Sequence, residues 1–368
     1  MKILVTGGAG FIGSYLVDTL IKEHDVTIYD NFEPQVHKSE PDYLNTGAEL
    51  IRADVCDKES LTKAVIDSDI IFHQAAMVGV GQSMYQIERY MDVNTLGTAK
   101  LLDILVNEEH NVKKLIVASS MSIYGEGAYE CEDCGEVYPL LRSEEQLKSR
   151  QWEMNCPNCG REVKPIATSE NKPIQPTSIY AISKRDQEEM TLAVGRAYGI
   201  PTVALRYFNT YGPRQSLSNP YTGVCAIFSS RIKNNNPPII FEDGLQTRDF
   251  TSVHDIVKAN ILVMKKSNAD YEMFNVGTGL SVSILDIAST LSDLYNKNIE
   301  SNVVYKYRSG DIRHCYADIS KIRKLGFKPT VSLEDGMKEL VLWGEEQEAS
   351  DRSDKAFEEL KERGLVEQ

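Results

Sequence analysis

The sequence predicts an α/β fold in which a doubly wound parallel sheet is followed by a smaller α+β lobe. Over the first two hundred of the 368 residues, short runs rich in Ile, Val and Leu alternate with helix-length amphipathic runs. Such alternation is typical of a parallel sheet that is buried on both faces and joined by right-handed crossovers. After about Phe208 the pattern is less regular. Residues 126–170 interrupt it and hold four of the seven cysteines.

The predicted elements follow one another in regular order. The short apolar runs predicted as strands are Lys2–Thr6, Asp25–Tyr29, Glu49–Ala53, Ile70–His73, Lys114–Ala118 and Thr202–Arg206. The amphipathic runs predicted as helices are Phe11–Lys22, Tyr90–Glu108 and Ser178–Tyr198. We expect a first domain over residues 1–208, with an insertion at 126–170. A second lobe is expected over 209–368, with part of 237–280 returning to the first domain. The charged stretch Ser332–Glu362 is predicted to be a solvated surface helix.

The charge balance restricts the kinds of partner. Forty Lys and Arg against 54 Asp and Glu give a formal net charge of −14. A chain this acidic is a poor candidate for binding nucleic acid or an anionic membrane, although a local group of arginines can still bind a phosphate. The sequence shows no signal-peptide pattern and no apolar stretch of about 18 residues. The expected location is therefore the cytoplasm, without a membrane span.

A glycine-rich turn lies at the start of the chain. Gly7, Gly10 and Gly13 follow a predicted strand and open a predicted helix. Glycines here permit a tight turn and bring the helix N-terminus close to a pyrophosphate, which backbone N–H groups and the helix dipole stabilise. Asp30 ends the second predicted strand, and a carboxylate there accepts hydrogen bonds from ribose hydroxyls and repels a 2′-phosphate. The sequence therefore predicts a Rossmann domain that prefers NAD to NADP.

A tyrosine and a lysine form a candidate catalytic pair. Tyr180 and Lys184 are four residues apart, so they share one face of a predicted helix. A neighbouring ammonium and an oxidised nicotinamide both favour the phenolate over the phenol, whose ordinary pKa is about 10. Tyr180 can then act as a general base toward a hydroxyl as hydride leaves the same carbon. Ser120 follows a strand at the carboxyl edge of the sheet, where its hydroxyl can bond the reacting oxygen.

A series of motifs runs in order from Met1 to about Pro329. Besides the glycine turn, Ser120, Tyr180 and Lys184, they are His73–Ala76, Asn94, Arg206–Asn209, Tyr211–Arg214, Arg248–Phe250 and Arg308–Asp311. With these motifs the chain resembles the extended short-chain dehydrogenase/reductase family and, within it, the nucleotide-sugar epimerases. The resemblance implies a Rossmann NAD domain, a C-terminal nucleotide-sugar domain and, commonly, a homodimer.

The resemblance also implies roles for individual residues. The catalytic residues would be Ser120, Tyr180 and Lys184. The NAD-binding residues would be Gly7, Gly10, Phe11, Ile12, Gly13, Asp30, Asn31, Asp54, Val55, Ala75, Ala76, Asn94, Tyr180 and Lys184. The substrate-binding residues would be Ser122 at the sugar and, at the nucleotide diphosphate, Asn209, Arg248, Arg308 and Asp311. Arginine forks suit a diphosphate, although each arginine taken alone also fits a surface ion pair.

The residues after Ser120 separate the reactions of the family. Its 4,6-dehydratases resemble one another in carrying Asp-Glu just after the serine or threonine, and its decarboxylating members place a Glu nearby. This chain has Met121 and Ser122 instead, so elimination lacks a proton shuttle. We therefore expect an isomerase, a 4-epimerase that oxidises C4 transiently, lets the 4-keto sugar rotate and returns hydride to its other face. A 4-ketoreductase, a 4,6-dehydratase and a non-catalytic NAD-sensing scaffold remain alternatives.

The insertion carries two cysteine pairs. Cys131 and Cys134 are separated by 21 residues from Cys156 and Cys159. Two Cys-x-x-Cys knuckles at such a separation predict a zinc ribbon in which each knuckle supplies two thiolates to a tetrahedral ion. Because four thiolates leave no open position, the zinc would be structural; redox-active pairs or unpaired thiols are the alternatives. With ten Asp or Glu and five Lys or Arg in residues 126–170, a nucleic-acid-binding ribbon is disfavoured.

The insertion also bears on the expected substrate. A zinc ribbon in this place resembles the bacterial dTDP-L-rhamnose 4-epimerase group, which makes dTDP-6-deoxy-L-talose. The substrate expected from this resemblance is dTDP-L-rhamnose, and UDP-glucose, UDP-glucuronate and UDP-N-acetylglucosamine stay open. Val78, Val80, Met84 and Met121 suggest an apolar lining that suits the methyl group of a 6-deoxy sugar, although ordinary core packing explains such residues equally well.

Overall fold

The computed structural model describes residues 1–366. Its strands are β1 (Lys2–Thr6), β2 (Asp25–Asp30), β3 (Glu49–Arg52), β4 (Ile70–His73), β5 (Lys114–Ser120), β6 (Ala128–Cys131), β7 (Gly135–Val137), β8 (Lys164–Ile166), β9 (Thr202–Tyr207), β10 (Asn209–Tyr211), β11 (Ile239–Ile240), β12 (Thr247–Arg248), β13 (Phe250–Ser252), β14 (Glu272–Val276), β15 (Val282–Ser283), β16 (Asn302–Val303) and β17 (His314–Cys315).

Helices connect and cover these strands. The α-helices are α1 (Phe11–Leu20), α2 (Lys58–Ile66), α3 (Val80–Ser83), α4 (Ile87–Tyr90), α5 (Gly97–Asn107), α6 (Glu144–Lys148), α7 (Ile179–Tyr198), α8 (Val224–Lys233), α9 (Val253–Lys265), α10 (Ile284–Leu294), α11 (Ser320–Arg323), α12 (Leu333–Glu346) and α13 (Ser353–Glu362). A π-helical turn covers Met91–Leu96, and 3₁₀ turns cover Met121–Tyr124 and Ser267–Ala269. In the described part of the chain, no helix has both the length and the apolar character needed to span a membrane.

Seven parallel strands form the main sheet in the order β14-β9-β5-β4-β1-β2-β3. The chain moves outward from β1 to β2 and β3, then returns to the other side of β1 at β4. Such a reversal is the switch point at which open α/β sheets bind ligands along their carboxyl edge. All six strands predicted from the sequence lie in this sheet, which β14 extends by pairing with β9. The predicted α/β fold class is confirmed.

Helix α7 is defined by clear local signals at both ends. The Ser178 side chain caps its N-terminus by accepting a hydrogen bond from the Ala181 N–H at 3.1 Å. Gly199, with a φ of 70°, ends it in the left-handed conformation that favours glycine. The helix packs against β5 and β9. It therefore brings Tyr180 and Lys184 to the carboxyl edge of the sheet.

The C-terminal stretch forms α12 and α13, but the prediction of a solvated surface helix is wrong for one face of each. Met337 and Leu340 are fully buried in a hydrophobic core where α8, α10 and α12 pack together. On α13, Ala356 and Leu360 are also buried. Apolar residues recur at three- and four-residue spacing within the charged sequence, so both helices are amphipathic.

Residues 126–170 form an ordered insert with its own small sheet. Strand β6 pairs antiparallel with β7 on one side and β8 on the other. A separate apolar core lies within the insert and comprises Tyr129, Cys131, Val137, Met154, Cys156 and Val163. The N–H of Ala128, near the start of the insert, donates to Oγ1 of Thr168, near its end, at 3.1 Å. The insert thus leaves and rejoins the main fold at neighbouring points.

Candidate active site

The glycine turn approaches the next strand connection too closely for any side chain. Gly7 has a φ of 69°, and a Cβ atom there would lie 2.7 Å from the backbone nitrogen of Ala75. A Cβ atom on Gly13 would lie 2.1 Å from the carbonyl oxygen of Gly7. Glycine is therefore required at both positions to pack the start of α1 against β1 and the residues after β4. This packing places the N-terminus of α1 at a cavity of about 450 Å³.

This first cavity has the composition expected for a dinucleotide site. Asp30 at the end of β2 accepts hydrogen bonds from the N–H groups of Ala9 (3.0 Å) and Phe32 (2.8 Å). Burial raises the pKa of the Asp30 carboxyl, while these backbone hydrogen bonds oppose that shift by lowering it. Each carboxylate oxygen retains a lone pair for a ribose hydroxyl. The glycine turn and this fixed carboxylate fit NAD.

Most of the residues predicted to bind NAD line the first cavity. They are Gly7, Gly10, Phe11, Ile12, Gly13, Asp30, Asn31, Val55, Ala75, Ala76, Tyr180 and Lys184. Two others, Asp54 and Asn94, are not among the residues that line it. Asp54 accepts a hydrogen bond from Asn31 Nδ2 at 2.8 Å. Asn94 is fully buried. Its Oδ1 accepts a hydrogen bond from the Met77 N–H at 2.7 Å, and its Nδ2 donates to the Met77 carbonyl oxygen at 3.0 Å, so it fixes the backbone of a residue that lines the cavity.

Ser120 and Tyr180 both line the first cavity. Ser120 is the last residue of β5, and its Oγ accepts a hydrogen bond from Ser122 Oγ at 3.0 Å, which leaves its own proton for another acceptor. Tyr180 is the second residue of α7, and its N–H donates to Ser83 Oγ at 3.0 Å. Burial raises the pKa of the Tyr180 phenol, and a hydrogen bond with Ser120 opposes this by lowering it. The helix N-terminus also favours the phenolate.

Lys184 is held by a buried polar network. Its Nζ donates to the Ala118 carbonyl and to Gln187 Oε1, both at 2.8 Å. Gln187 in turn donates to Thr98 Oγ1 at 2.7 Å, which also bonds His73 at 2.9 Å. Burial lowers the pKa of Lys184 to about 7 and that of His73 to about 3. The network fixes the ammonium one helical turn from Tyr180 and leaves it one further N–H to donate.

A second cavity of about 360 Å³ adjoins the first. Arg248, Arg308 and Asp311 line it, and Met121, Ser122 and Asn209 line both cavities. Asn209 Oδ1 is buried and has no hydrogen-bond partner within the described residues. A buried amide without a partner is costly unless a ligand satisfies it. The junction between the cavities thus combines Ser122 and Asn209 with the nearby Ser120 and Tyr180.

The charged groups of the second cavity already have partners. Arg248 donates to the carbonyl oxygens of Ile312 at 2.7 Å and Arg313 at 2.9 Å. Arg308 Nε donates to Asp311 Oδ2 at 2.7 Å, and the guanidinium lies over the ring of Phe241, 4.6 Å from its centroid. The structure therefore brings all the predicted diphosphate-binding residues to one cavity. Arg308 and Asp311 are bonded to each other there.

The four cysteines of the insert converge. Their sulfur atoms lie within 4.8 Å of one another, and Cys131 Sγ and Cys159 Sγ are 3.5 Å apart. A tetrahedral zinc with Zn–S distances of about 2.3 Å requires sulfur atoms roughly 3.8 Å apart, so the cluster of Cys131, Cys134, Cys156 and Cys159 fits such an ion. Gly135 and Gly160 follow the two knuckles with φ values of 71° and 76°.

Several residues around the site have no counterpart among the sequence predictions. Gln187 positions Lys184, and its spacing of three residues on the same helix face is a signal that could have identified it. Phe357 and Leu360 of α13 line the second cavity, although the charged composition of that helix indicated solvent. Their apolar i, i+3 spacing was the available signal.

Two family models match the chain. The model of the NAD dependent epimerase/dehydratase family matches residues 3–142, and that of GDP-mannose 4,6 dehydratase matches residues 160–340. The dTDP-L-rhamnose 4-epimerase of Burkholderia thailandensis is 37% identical over 348 residues, which are 93% of this chain and 94% of that protein. The chain belongs to the NAD-dependent epimerase/dehydratase family, as its motifs predicted.

Solved structures of nucleotide-sugar 4-epimerases are also similar to this chain. UDP-glucose 4-epimerase of Thermotoga maritima, solved with UDP-glucose, is 32% identical with a TM-score of 0.76, covering 93% of this chain and 98% of that one. UDP-glucuronic acid 4-epimerase of Bacillus cereus, solved with UDP-glucuronic acid and NAD, is 30% identical with a TM-score of 0.77. The alignment covers 94% of this chain and 99% of the Bacillus cereus chain. These matches, over 93–94% of the chain, confirm the predicted class of enzyme, an isomerase among NAD-dependent nucleotide-sugar 4-epimerases.

Proposed function

We propose that this chain interconverts two nucleotide sugars that differ at C4, and that Ser120, Tyr180 and Lys184 are its catalytic residues. The observation that carries the assignment is their position in the first cavity, next to Met121 and Ser122, which line both cavities. The first cavity has the glycine turn and Asp30 for NAD, and the second has Arg248 and Arg308 for a diphosphate. A sugar attached to that diphosphate reaches the junction, where Tyr180 can bond its C4 hydroxyl.

The residues at the junction divide the work of the reaction. Bound NAD supplies the acceptor, and then the donor, of the hydrogen carried on C4. Tyr180 takes the proton of the C4 hydroxyl and later returns it, and the Lys184 ammonium together with the N-terminus of α7 stabilises its phenolate. The Ser120 hydroxyl keeps its proton and donates a hydrogen bond to the C4 oxygen. Arg248 and Asn209 retain the diphosphate while the 4-keto sugar turns over.

The site favours epimerisation over elimination. The second half of the chain matches a family model named for a dehydratase, but the residues after Ser120 are Met121 and Ser122. Among the described residues lining the first cavity, the carboxylates are Asp30 and Glu33. They lie by β2, three strands from β5 and so roughly 14 Å from Ser120. Within the described part of the chain, neither carboxylate of the first cavity therefore lies next to Ser120, where a proton shuttle for elimination is needed.

We propose dTDP-L-rhamnose as the substrate, with the UDP-sugars as the alternative. Support comes from the dTDP-L-rhamnose 4-epimerase relative and from the apolar wall of the junction. Val80 and Met121 line both cavities, and Val78 lines the first. Val78 and Val80 are 50% and 38% exposed, so they face the cavity and not a packed core. Such a wall suits a methyl group at C6 better than a hydroxyl or a carboxylate.

We further propose that Cys131, Cys134, Cys156 and Cys159 hold a structural zinc ion. Four cysteine ligands fill a tetrahedral shell, so the ion would take no part in the reaction. Support comes from the convergence of the four sulfur atoms. A homodimer and a location in the cytoplasm remain predictions from the sequence and its resemblance.

A panel of nucleotide sugars tests the proposed reaction. We expect the purified protein, without added cofactor, to invert C4 of dTDP-L-rhamnose faster than C4 of UDP-glucose, UDP-glucuronate or UDP-N-acetylglucosamine. Proton NMR of the sugar distinguishes the two C4 epimers, and boiled protein is the control. Faster inversion of a UDP-sugar would replace the substrate but keep the reaction class. A keto product formed only with added NAD, or no inversion of any sugar, would contradict the epimerase assignment.

A further inference from the structure

A group of charged side chains, three of them buried, joins the insert to the wall of the second cavity. This ion cluster consists of Arg142 and Glu153 from the insert and Glu242, Asp243 and Arg313 from the second lobe. Arg142 binds Glu242 with two hydrogen bonds, at 2.9 and 2.7 Å, and Arg313 Nη1 binds the same carboxylate at 2.9 Å. The side chains of Arg142, Glu242 and Arg313 are 1%, 3% and 0% exposed.

Arg313 completes the cluster on both sides. Its Nη1 and Nη2 donate to Asp243 at 2.7 and 3.0 Å, and its Nε donates to Glu153 Oε1 at 3.0 Å. Hydrogen bonding from His314 and the charge of Arg313 lower the pKa of Glu153 to about 2, against the effect of burial. Hydrogen bonds from Arg313 also lower the pKa of Asp243, against the effect of burial. The cluster thus brings two arginines together with three acidic residues.

Burying these charges costs free energy, so a contribution to stability does not by itself explain why the insert is attached through them. Removing charges from water costs several kcal/mol per ion, and well-packed apolar residues often stabilise as much or more. Glu242 also has a φ of 53°, in the left-handed region that a non-glycine residue rarely adopts. We attribute the strained backbone and the paired carboxylate of Glu242 to a positioning role and not to stability, because together they hold neighbouring groups in a fixed arrangement.

Those neighbouring groups belong to the diphosphate end of the second cavity. The segment 311–315 begins at Asp311 and includes Arg313. Its Ile312 and Arg313 carbonyl oxygens accept hydrogen bonds from Arg248, at 2.7 and 2.9 Å. Strand β17 within it pairs with β12, which carries Arg248. From the insert, Arg142 Nη2 reaches the Asp311 carbonyl oxygen at 3.4 Å.

A second anchor lies at the start of the insert. The Glu126 carboxylate accepts hydrogen bonds from the backbone N–H groups of Arg313 at 2.7 Å and His314 at 2.8 Å. Segment 311–315 is thus held from one side by Glu126, Arg142 and Glu153. The same segment accepts the two hydrogen bonds that Arg248 donates. This arrangement connects the insert to the predicted diphosphate-binding arginine through one layer of backbone.

We propose that Arg142 and Glu153 are positioning residues for nucleotide binding: they fix segment 311–315 and thereby Arg248, so that the insert sets the affinity for the diphosphate end of the substrate. The proposal rests on the assignment of the second cavity to the nucleotide, made above.

The test compares the conservative variants Arg142→Lys and Glu153→Gln with the wild-type holoenzyme. Titration calorimetry with dTDP and with UDP measures nucleotide affinity without turnover, so it is independent of which sugar, if any, is inverted. We expect the Kd of the nucleotide that wild type binds to rise about 3- to 30-fold in each variant, the size of effect typical of residues that act through a second element. Bound NAD and zinc per chain should stay unchanged, and KM should rise with little change in kcat.

Arg161→Gln is the matched control. Arg161 is also in the insert, but its ion pair is with Asp133 of the insert itself and is exposed, at 63% and 49% for the two side chains. The nucleotide Kd of Arg161→Gln should equal that of wild type. If Arg142→Lys fails to fold, Glu153→Gln decides the question, because Glu153 is 39% exposed and Gln retains its shape. Unchanged nucleotide affinity in folded Glu153→Gln would overturn the proposal. If wild type binds neither nucleotide, the proposed function fails instead.

Discussion

Replacing Tyr180 with Phe is expected to lower kcat by about 10³-fold, within the range of 10² to 10⁴ typical of a lost general acid–base group. The change removes the phenolic oxygen that exchanges a proton with the C4 hydroxyl and leaves the ring in place against Tyr90, whose centroid is 6.5 Å away. Bound NAD should remain, because the glycine turn and Asp30 are untouched. Turnover is measured by NMR and retained NAD by absorbance after denaturation.

The same helix offers a control for this prediction. Tyr198→Phe removes a phenolic oxygen from the last residue of α7, where the side chain is 58% exposed. Its kcat should match that of wild type. Turnover of Tyr180→Phe within threefold of wild type would remove Tyr180 from the mechanism.

Replacing Cys131 with Ser is expected to release the zinc and melt the insert. Wild-type protein purified without chelator should contain about one zinc per chain, and the variant far less, as measured by elemental analysis. Apparent binding free energies of structural zinc sites are about 10–16 kcal/mol, and loss of the ion removes that contribution from an insert whose own apolar core has only six residues. Proteolysis should then cut the variant within residues 126–170, and Tm should fall.

Cys56→Ser serves as the control for zinc, since Cys56 lies outside the insert, where its Sγ bonds the Asp92 carbonyl at 3.3 Å. It should retain the metal and the resistance to proteolysis. A folded wild-type protein without zinc, or full zinc in Cys131→Ser, would exclude the four-cysteine site.

Local signals in the sequence predict much of the fold and the centre of the site. The strands of the main sheet are recognisable because burial on both faces requires continuous apolar runs, as in β5. The glycine turn, the Tyr180 and Lys184 pair and the two cysteine knuckles each depend on residues close together in the chain. Their chemistry is therefore visible in short spacings.

Contacts between distant residues are not visible in this way. Arg142 and Glu242 are 100 residues apart, and Glu153 and Arg313 are 160 residues apart, so nothing in a single sequence pairs them. The composition of α13 is dominated by its charged outer face, which conceals the inner face that lines the second cavity. Such features depend on tertiary packing, which overrides the local pattern.

In the proposed epimerisation, the hydride that leaves C4 returns to C4 of the same sugar. The direct measurement uses the best substrate of the panel, labelled with deuterium at C4, and the holoenzyme in ordinary water without added NAD. We predict a C4-inverted product that keeps its deuterium, detected by mass spectrometry and by the missing C4 proton signal in NMR. Inverted product whose deuterium has been exchanged for hydrogen from water would contradict epimerisation by transient oxidation at C4.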